Sequence, residues 1–506
     1  MANIFDSIMV QRPKSSVFDL SHDVKLSCNM GKLVPIMLTD CVPGDKFRIG
    51  NESLIRFAPL VSPMMHRVNV SMHYYFVPYR ILWDNFEKFI TNTPITGSTL
   101  PAFPTVDIGD GAGVHTVSPG SLADYLGLPI TPAGGATATV SALPFAAYQM
   151  IFNDYYRDQN LQEEIDFKVI DGDNTGNSHL FDLRTRAWEH DYFTSCLPFA
   201  QKGQPVQIPV TQNFPDVMVK QNSLFGTGVT LEGVPADQIV HAADPVGGLV
   251  DEALFAQTSE LNVSQPTTIN DLRTANALQR WLEKMARGGS RYFEMIRVIF
   301  GKKSPDARLQ RPEYITGSVS PVQISEVLNT AGDTLPQGNM AGHGVSVVQG
   351  NQGFYDCQEH GVIIGIMSIM PKTAYQNGIA RMWSKTQDPF QYYSPDFDHL
   401  GEQEVLNQEV FAYTAEASGT FGYLPRFAEH KFINSRVAGQ FATTLDFWHM
   451  GRKFDTPPAL NEAFISCDPT FRIFAVEDPS EHHMWVHVYN KVRAIRPMSK
   501  YSTPTY

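Results

Sequence analysis

VNVSMHYYFV, from Val68 to Val77, is the segment whose pattern points most directly to a β-protein. Every second position carries a large apolar side chain, in the order Val68, Val70, Met72, Tyr74 and Phe76. A repeat of two residues is typical of a strand that buries one face. Pro78 follows directly and has no amide hydrogen to donate to a neighbouring strand. We therefore predict a half-buried strand over Val68–Val77.

Two other long segments predict strands later in the chain. GVIIGIMSIM, from Gly361 to Met370, is apolar throughout and is closed by Pro371, which indicates a strand buried on both faces. MWVHVYNKVRAI, from Met484 to Ile495, alternates in the same way as the first segment. Shorter candidate strands are Val206–Val210 and Phe441–Phe447.

Long and partly helical stretches separate these strands. A helix is predicted after Thr268, since apolar residues recur there at helical spacing and Gly288-Gly289 ends the pattern. Ala146–Gln159 and Leu82–Ile90 are further candidate helices, and Asn92–Leu143 and Asn213–Pro266 are rich in Pro and Gly. The order lacks short alternating βα units, so we predict a mainly β fold: an antiparallel jelly roll with long, partly helical loop insertions.

The bulk composition predicts an ordered globular protein with an acidic balance. The 506 residues are 43% hydrophobic and 18% charged, with a formal net charge of −13. A protein that wraps DNA unaided is expected to be basic, because phosphate neutralisation dominates affinity. Any DNA contact must therefore be local, or a separate basic partner must supply the charge.

Cysteine usage and hydropathy predict a protein folded in the cytoplasm. The five cysteines are odd in number, widely spaced and without a C-x-x-C pair, which argues against a disulfide framework and a structural zinc site. The first residues lack the apolar core of a secretory signal. The longest apolar run is far shorter than the ~20 residues needed to span a bilayer, so no membrane insertion is expected.

No motif predicts an active site, so we expect neither enzymatic activity nor a cofactor. Gly109-x-Gly111-x-Gly113 lacks the helix and the Lys-Ser/Thr of a phosphate loop. His482, His483 and His487 favour a surface or interface histidine pair over a metal site. The spacing of Asp171, Asp173, Thr175, Gly176 and Asp182 begins like a calcium loop, but a plain Asx turn explains it better.

Two basic groups are candidate contacts for single-stranded DNA. The first contains Lys302, Lys303, Arg308 and Arg311, and the second contains Lys491, Arg493, Arg496 and Lys500, with Tyr489, Tyr501 and Tyr506 interleaved. Cationic side chains pair with phosphates and aromatic rings stack on bases. A solvated face or a patch of salt bridges between subunits is the more ordinary explanation of both groups.

An ordered series of motifs resembles the major capsid protein of microviruses, in particular the gokushovirus branch. The series covers most of the chain. It comprises FDLSH (18–22), VPGD (42–45), RFAPL (56–60), FVPYRILW (76–83), LADYLG (122–127), YRDQNL (156–161), LPFAQKG (197–203), ARGGSRY (286–292), SPDARLQRPEY (304–314) and AIRPMSKY (494–501).

The resemblance implies an eight-stranded viral jelly roll, residues 1–506 forming a single capsid domain. It implies assembly into a T=1 icosahedral shell around circular single-stranded DNA, in the cytoplasm of the host bacterium. The implied partners are further copies of the chain, a small basic DNA-packaging protein, pilot and scaffolding proteins and a host surface receptor. The small basic protein agrees with the acidic balance of this chain.

The resemblance also implies a variable insertion, about residues 212–266, that forms a protrusion at the threefold axis. Within it, an apolar patch could meet its own copies or contact the host: Leu224, Phe225, Gly226, Thr227, Gly228 and Val229. A mobile surface loop explains the same patch almost as well. A different class of function, a β-rich carbohydrate-binding or glycan-degrading protein, remains an alternative, although it does not explain the motif series. A surface adhesin is a weaker one, because it should show an export signal.

Overall fold

The computed structural model describes residues 14–92, 99–204, 206, 219–221, 230–231, 242–243, 254–256, 269–328 and 340–501. The chain divides into two compact units. The larger unit comprises Met1–Ala200 with Met285–Tyr506, and the smaller comprises Gln201–Lys284. No described helix is both long enough and apolar enough to cross a membrane.

The larger unit contains most of the described strands and helices. Its strands are β1 Ser16–Asp19, β2 His22–Cys28, β3 Val34–Cys41, β4 Lys46–Phe57, β5 Val68–Pro78, β6 Thr105–Ile108, β7 Ala138–Ser141, β12 Glu313–Pro321, β13 Gln323–Leu328, β14 Met340–Gln349, β15 Gly353–Asp356, β16 Gly361–Pro371, β17 Glu402–Leu406, β18 Thr420–Pro425 and β19 Met484–Arg496. The helices are α1 Tyr79–Leu82, α2 Phe86–Ile90, α3 Leu122–Tyr125, α4 Leu143–Ile151, α6 Tyr292–Phe300, α7 Asn407–Val410 and α8 Glu462–Ile465.

The smaller unit contains two short antiparallel strand pairs and most of one long helix. The strands are β8 Val219–Gln221, β9 Thr230–Leu231, β10 Ala242–Ala243 and β11 Leu254–Ala256, with β8 paired to β11 and β9 to β10. The helix is α5, Ile269–Gly288. The predicted insertion, residues 212–266, falls within this range of the chain, and its place at a threefold axis stays a prediction.

Two antiparallel sheets form the centre of the larger unit. In the seven-stranded sheet, β1 and β2 pair with successive parts of β19, β19 pairs with β4, and β14 and β15 pair with successive parts of β4. β13 extends this sheet beside β14. The four-stranded sheet has the order β12-β5-β16-β3.

This pairing confirms the predicted jelly roll. When β1/β2 and β14/β15 each count as one interrupted strand and the additional strand β13 beside β14 is set apart, the two sheets offer eight strand positions. One sheet then holds the first, eighth, third and sixth positions, and the other holds the second, seventh, fourth and fifth. Two sheets interleaved in this way are the jelly-roll arrangement. The longest insertions lie between β5 and β12 and between β16 and β19.

The inner faces of the two sheets share one core. Alternate residues of β5, including Met72 and Phe76, join Ile55 of β4 and Val488 of β19 in a single buried cluster. The predicted strand over Val68–Val77 is confirmed and buries this face, but it is not half-buried, because Ser71, Tyr75 and Val77 on its other face are buried as well. The strand predicted over Met484–Ile495 is also confirmed, and its even-numbered residues from Met484 to Ala494 are buried.

The outer face of the four-stranded sheet is covered by the insertion that follows β5. Tyr75 and Val77 of β5 and Ile364 and Ile366 of β16 pack in one buried cluster with α4, which contributes Phe145 among others. All eleven residues of β16 are therefore buried, and the predicted strand buried on both faces is confirmed.

The predicted helices are confirmed with shifted ends, and one predicted strand is wrong. The helix predicted at Ala146–Gln159 begins at Leu143 and continues as a π-turn over Phe152–Tyr156. Leu82–Ile90 is split between α1 and α2. Phe441–Phe447 is not a strand but lies in two 3-10 turns, because its backbone bonds are local, such as Thr443 N–H to the Gln440 carbonyl at 3.0 Å. The candidate strand Val206–Val210 lies, after its first residue, outside the described residues.

Candidate nucleic-acid interface

The outer face of the seven-stranded sheet carries basic and aromatic side chains in alternation. Along β19 the exposed residues are Trp485, His487, Lys491, Arg493 and the apolar Ile495, with Tyr489 partly exposed. We call the surface formed by Arg48, Phe354, Trp485, Tyr489, Lys491 and Arg493 the open face. Cations beside accessible rings are the features that single-stranded nucleic acids bind.

Strand register brings two arginines of the open face side by side. Arg493 of β19 lies directly opposite Arg48 of β4, and Lys491 lies opposite Gly50. Like charges in opposed positions of a sheet destabilise each other, so an anion bound between them would relieve the repulsion. A cavity of about 300 Å³ lies at this place, lined by Asp19, Ser21, Arg48, Gly50, Gln352, Tyr489, Lys491 and Arg493.

Intramolecular partners hold the cations of the open face in position without burying them. Arg48 donates from Nε to the Gln352 side-chain oxygen at 2.9 Å, and its guanidinium lies 5.5 Å from the centre of the Phe354 ring. Lys491 pairs with Glu52. Phe354 is 73% exposed and Trp485 is 50% exposed, so both rings are accessible for stacking.

Asp19 is the one carboxylate that lines this cavity among the described residues. Its pKa is lowered from the ordinary value, first by hydrogen bonds from Ser21 and then by the charge of Arg493. The carboxylate therefore stays ionised and offsets part of the positive charge, which leaves a modest net attraction for a phosphate.

The first predicted basic group lies on another element, the loop between α6 and β12. Lys302, Lys303 and Arg308 are exposed there, after Gly301 ends α6 with a positive φ of 65°. These three side chains remain available to an external anion.

Arg311 belongs to the same predicted group but is positioned differently. It is 7% exposed, and its Nε lies 3.5 Å from the Asp306 carboxylate. Its guanidinium also lies over the rings of Tyr155 and Phe293, at 4.4 and 4.1 Å. Arg311 therefore joins the start of β12 to the insertion, and it is a structural residue instead of a DNA contact.

Arg496 also has intramolecular partners on several sides. Its Nε lies 3.6 Å from the fully buried Asp45 carboxylate, and Nη2 donates to the Asp40 carbonyl at 2.9 Å. These contacts fasten the end of β19 to β3 and to the turn before β4. Lys500, by contrast, is exposed, with its ammonium 5.8 Å from the Tyr501 ring. Tyr506 lies outside the described residues.

The three carboxylates of the calcium-like loop have separate partners. Asp171 accepts a hydrogen bond from Trp83 Nε1 at 2.7 Å, and Asp182 lies 3.4 Å from Arg184. Asp173 accepts from the backbone N–H of Thr175 at 2.8 Å, which forms an Asx turn. In the part of the chain that the structure describes, no group of three or more His, Cys, Asp or Glu could hold a metal ion.

The three neighbouring histidines point to three different places. His482 bonds to Ser27 at 2.8 Å, and His487 to Asp23 at 2.9 Å. His483 is buried and directly precedes β19, with its ring nitrogens bonded to Asn29 and to the Val476 carbonyl. His483 is therefore a core residue, not part of a surface pair.

Sequence reasoning missed Arg48, the partner of Arg493 on the open face. Its strand, KFRIGNESLIRF, was not predicted, although Lys46, Arg48 and Arg56 alternate with the buried Phe47, Ile49 and Ile55. That alternation was the signal that could have found it. The predicted apolar patch, Leu224 to Val229, lies outside the described residues.

Comparison with known proteins identifies the kind of particle to which such a jelly roll belongs. A family model described as capsid protein (F protein) matches residues 6–506. The chain belongs to this family of phage capsid proteins. It is therefore a structural capsid protein and not an enzyme.

Individual relatives support the same assignment over nearly the whole length. Capsid protein VP1 of Chlamydia phage 1 is 33% identical over 100% of this chain and 98% of the relative. The capsid proteins VP1 of Bdellovibrio phage phiMH2K and Spiroplasma virus 4 are 35% and 30% identical, each over 97% of this chain and 95% of the relative. All three are gokushovirus proteins, so the predicted resemblance is confirmed, and the glycan-binding alternative is not supported.

Proposed function

We propose that copies of this chain assemble into a T=1 icosahedral shell that encloses circular single-stranded DNA. The observation that carries this proposal is the full-length match to phage capsid proteins, combined with a jelly roll whose sheets hold long insertions. Many weak contacts repeated by symmetry can give a closed and stable shell.

Contact with the genome is assigned to the exposed basic residues. Arg493 lies in the cavity of the open face with Arg48, and Lys302, Lys303 and Arg308 project from the loop after α6. Lys500 is a further exposed candidate near the C-terminus. Because the chain carries a net charge of −13, these local contacts need help, and a small basic DNA-packaging protein would supply it.

Host recognition is assigned to the insertion, about residues 212–266. It would form a protrusion at each threefold axis, where Leu224 to Val229 would meet their copies or the host surface receptor. Pilot and scaffolding proteins would assist assembly in the cytoplasm of the host bacterium. Deletion of Phe225–Val229 tests this assignment, because unchanged particle yield and infectivity would exclude it.

Sedimentation and negative-stain imaging of the expressed chain test the proposal as a whole. The chain would be studied alone and together with the other structural proteins of its phage. We expect closed shells of one small diameter in at least the second condition. A monomer in every condition would contradict the proposal.

A further inference from the structure

A second basic pocket lies at one end of β5 and β16, the two central strands of the four-stranded sheet. Arg67 directly precedes β5 and Lys372 directly follows β16, and these positions are neighbours because Pro371 pairs with Val68 in the ladder. The Lys372 N–H donates to the Arg67 carbonyl at 2.9 Å, which fixes the two backbones together. The pocket has a volume of about 440 Å³.

The other wall of the pocket comes from the long insertion between β16 and β19. Tyr375 donates its N–H to the Ser435 carbonyl at 3.0 Å, and this contact holds residues 435–438 beside residues 372–374. Arg436 thereby reaches the same pocket as Arg67. Backbone hydrogen bonds thus bring together two arginines that are far apart in sequence, and no ion pair is involved.

The lining of this pocket is cationic. Its cationic side chains are Arg67, Lys372 and Arg436, two histidines line it as well, and no described Asp or Glu contributes to it. The charge of Lys372 is offset by an ion pair with Glu189, outside the lining. For the guanidiniums of Arg67 and Arg436, the described residues provide neither an ion pair nor a hydrogen bond to a side chain. The pocket therefore contains two uncompensated positive charges.

The two histidines of the pocket are held by backbone groups. His449 Nδ1 accepts from the Gly451 N–H at 2.9 Å, so its Nε2 carries the proton and donates to the Phe441 carbonyl at 2.8 Å. His66 Nε2 donates to the Lys372 carbonyl. Both rings therefore shape the pocket and leave charge recognition to the arginines.

Part of the lining is apolar. Phe441 is half-buried, with the centre of its ring 6.2 Å from that of His449, and Met65, Val437 and Ala438 lie around the same pocket. The volume lies in the range of ~300–1,000 Å³ typical of pockets for small organic ligands. It is therefore larger than a lone phosphate needs and includes a surface on which a base can stack.

We propose that this pocket binds one nucleotide unit of single-stranded DNA, with Arg67 and Arg436 as ligands of the phosphate and Phe441 beside the base. Arginine is suited to this task because its planar guanidinium donates two parallel hydrogen bonds to phosphate oxygens. The inference rests on the proposed function for the source of the nucleotide. A free phosphate or mononucleotide shares the same chemistry, and the experiment separates these sources.

The test measures binding of a short fluorescent oligothymidylate to the full-length, unassembled chain over a range of salt concentrations. Arg67→Gln and Arg436→Gln are each expected to weaken binding roughly fivefold or more and to lower the slope of log affinity against log salt by about 0.7. Arg280→Gln, an exposed arginine of α5 outside the pocket, removes the same charge and should change neither quantity. Equal losses in all three variants, or in none, would overturn the proposal.

A photochemical measurement on the unmodified chain avoids dependence on folding of the variants. Irradiation of the complex with an iodouracil-containing oligonucleotide should crosslink the tryptic peptide of residues 437–452, which carries Phe441. Absence of that peptide among the crosslinked products would contradict the assignment of the base. If inorganic phosphate or thymidine monophosphate binds to the chain while the oligonucleotide gives no crosslink, the pocket is a free-phosphate site and the nucleic acid is excluded.

Assembly is scored separately by sedimentation of the same variants. Shells that form from Arg67→Gln chains with weakened DNA binding support the pocket and the shell together. If the unmodified chain forms no shell but still binds DNA through these arginines, the proposed function fails and the pocket stands.

Discussion

The outer face of the four-stranded sheet and the outer face of the seven-stranded sheet have different surroundings. On the first, Tyr75 and Ile364 are buried beneath α4, and His73 bonds to the hydroxyl of Tyr156 at 2.8 Å. On the second, Phe354 is exposed beside Arg48, and Trp485 and Arg493 are exposed farther along β19. One sheet thus uses an insertion of its own chain to complete a core, and the other leaves its side chains exposed. The difference indicates where mutations should affect folding and where they should affect binding.

The outer face of the four-stranded sheet is called the covered face here. The largest effect is expected for truncation of a side chain that packs against this face. Phe145 of α4 is 1% exposed, and Phe145→Ala should lower the free energy of unfolding by ~3–5 kcal/mol, because it removes buried apolar contacts and leaves a cavity. Trp485→Ala on the open face is the matched control and should cost far less. Urea unfolding of the unassembled chain measures both, and equal losses would remove the distinction between the two faces.

Acid should destabilise the covered face through His73. Burial, and secondarily the charge of Arg186, lowers the pKa of His73 from 6.5 to about 4. Between these pH values the unfolded chain binds a proton at His73 that the folded chain does not bind, so acid favours unfolding. The contribution of neutral His73 to the free energy of unfolding is therefore complete above pH ~6.5 and is lost as the pH falls toward 4, for a total of ~3 kcal/mol.

The pH dependence is isolated by comparing variants over the same range. His73→Asn should flatten the stability profile between pH ~4 and ~6.5 relative to the unmodified chain. Carboxylates also titrate in this range, so the quantity compared is the difference between the two proteins at each pH. Parallel profiles for the two proteins would show that His73 is not buried as described.

Two arginines three residues apart on β19 sharpen the comparison further. Arg496→Gln should lower the free energy of unfolding by ~2 kcal/mol, because it leaves the fully buried Asp45 without its cation. Arg493→Gln should change it by no more than ~0.5 kcal/mol, as expected for an exposed side chain. Thermal unfolding of the two variants checks this, and an unstable Arg493→Gln chain would contradict it.

The smallest change in stability should accompany a clear change in DNA binding. Arg493→Gln is expected to lower the slope of log affinity against log salt by about 0.7 for single-stranded DNA, the contribution of one phosphate contact. Lys303→Gln provides the same test for the loop after α6. Filter binding on the unassembled chain measures both slopes, and unchanged slopes would remove these residues from the proposed interface.

The strand framework could be predicted from sequence because its signal is local. Met484–Ile495 alternates cleanly, Val68–Val77 carries a large apolar side chain at every second position, and Gly361–Met370 is apolar apart from Ser368 because both of its faces are covered. Pairing, however, depends on contacts between residues hundreds of positions apart, so the neighbours of these strands could not be read from any single segment. Phe441–Phe447 shows the limit, since a segment with a few spaced apolar residues and no neighbouring strand forms 3-10 turns instead.

Candidate contacts were harder to predict, because charge alone does not indicate exposure. Arg311 and Arg496 look like Arg308 and Arg493 in sequence, yet each contacts a carboxylate, a backbone carbonyl and at least one aromatic ring, most of them from distant segments. Arg67 and Arg436 show the converse, since no local cluster of basic residues marks either of them. They meet only through the ladder between β5 and β16 and the backbone contact at Tyr375.

An icosahedral reconstruction of particles purified from infected cells tests the central claim most directly. We predict a T=1 shell with one copy of this chain per asymmetric unit, in which the jelly roll fits the continuous wall of the particle. A shell of another symmetry, or a wall into which this jelly roll does not fit, would contradict the claim that the chain is the subunit that builds it.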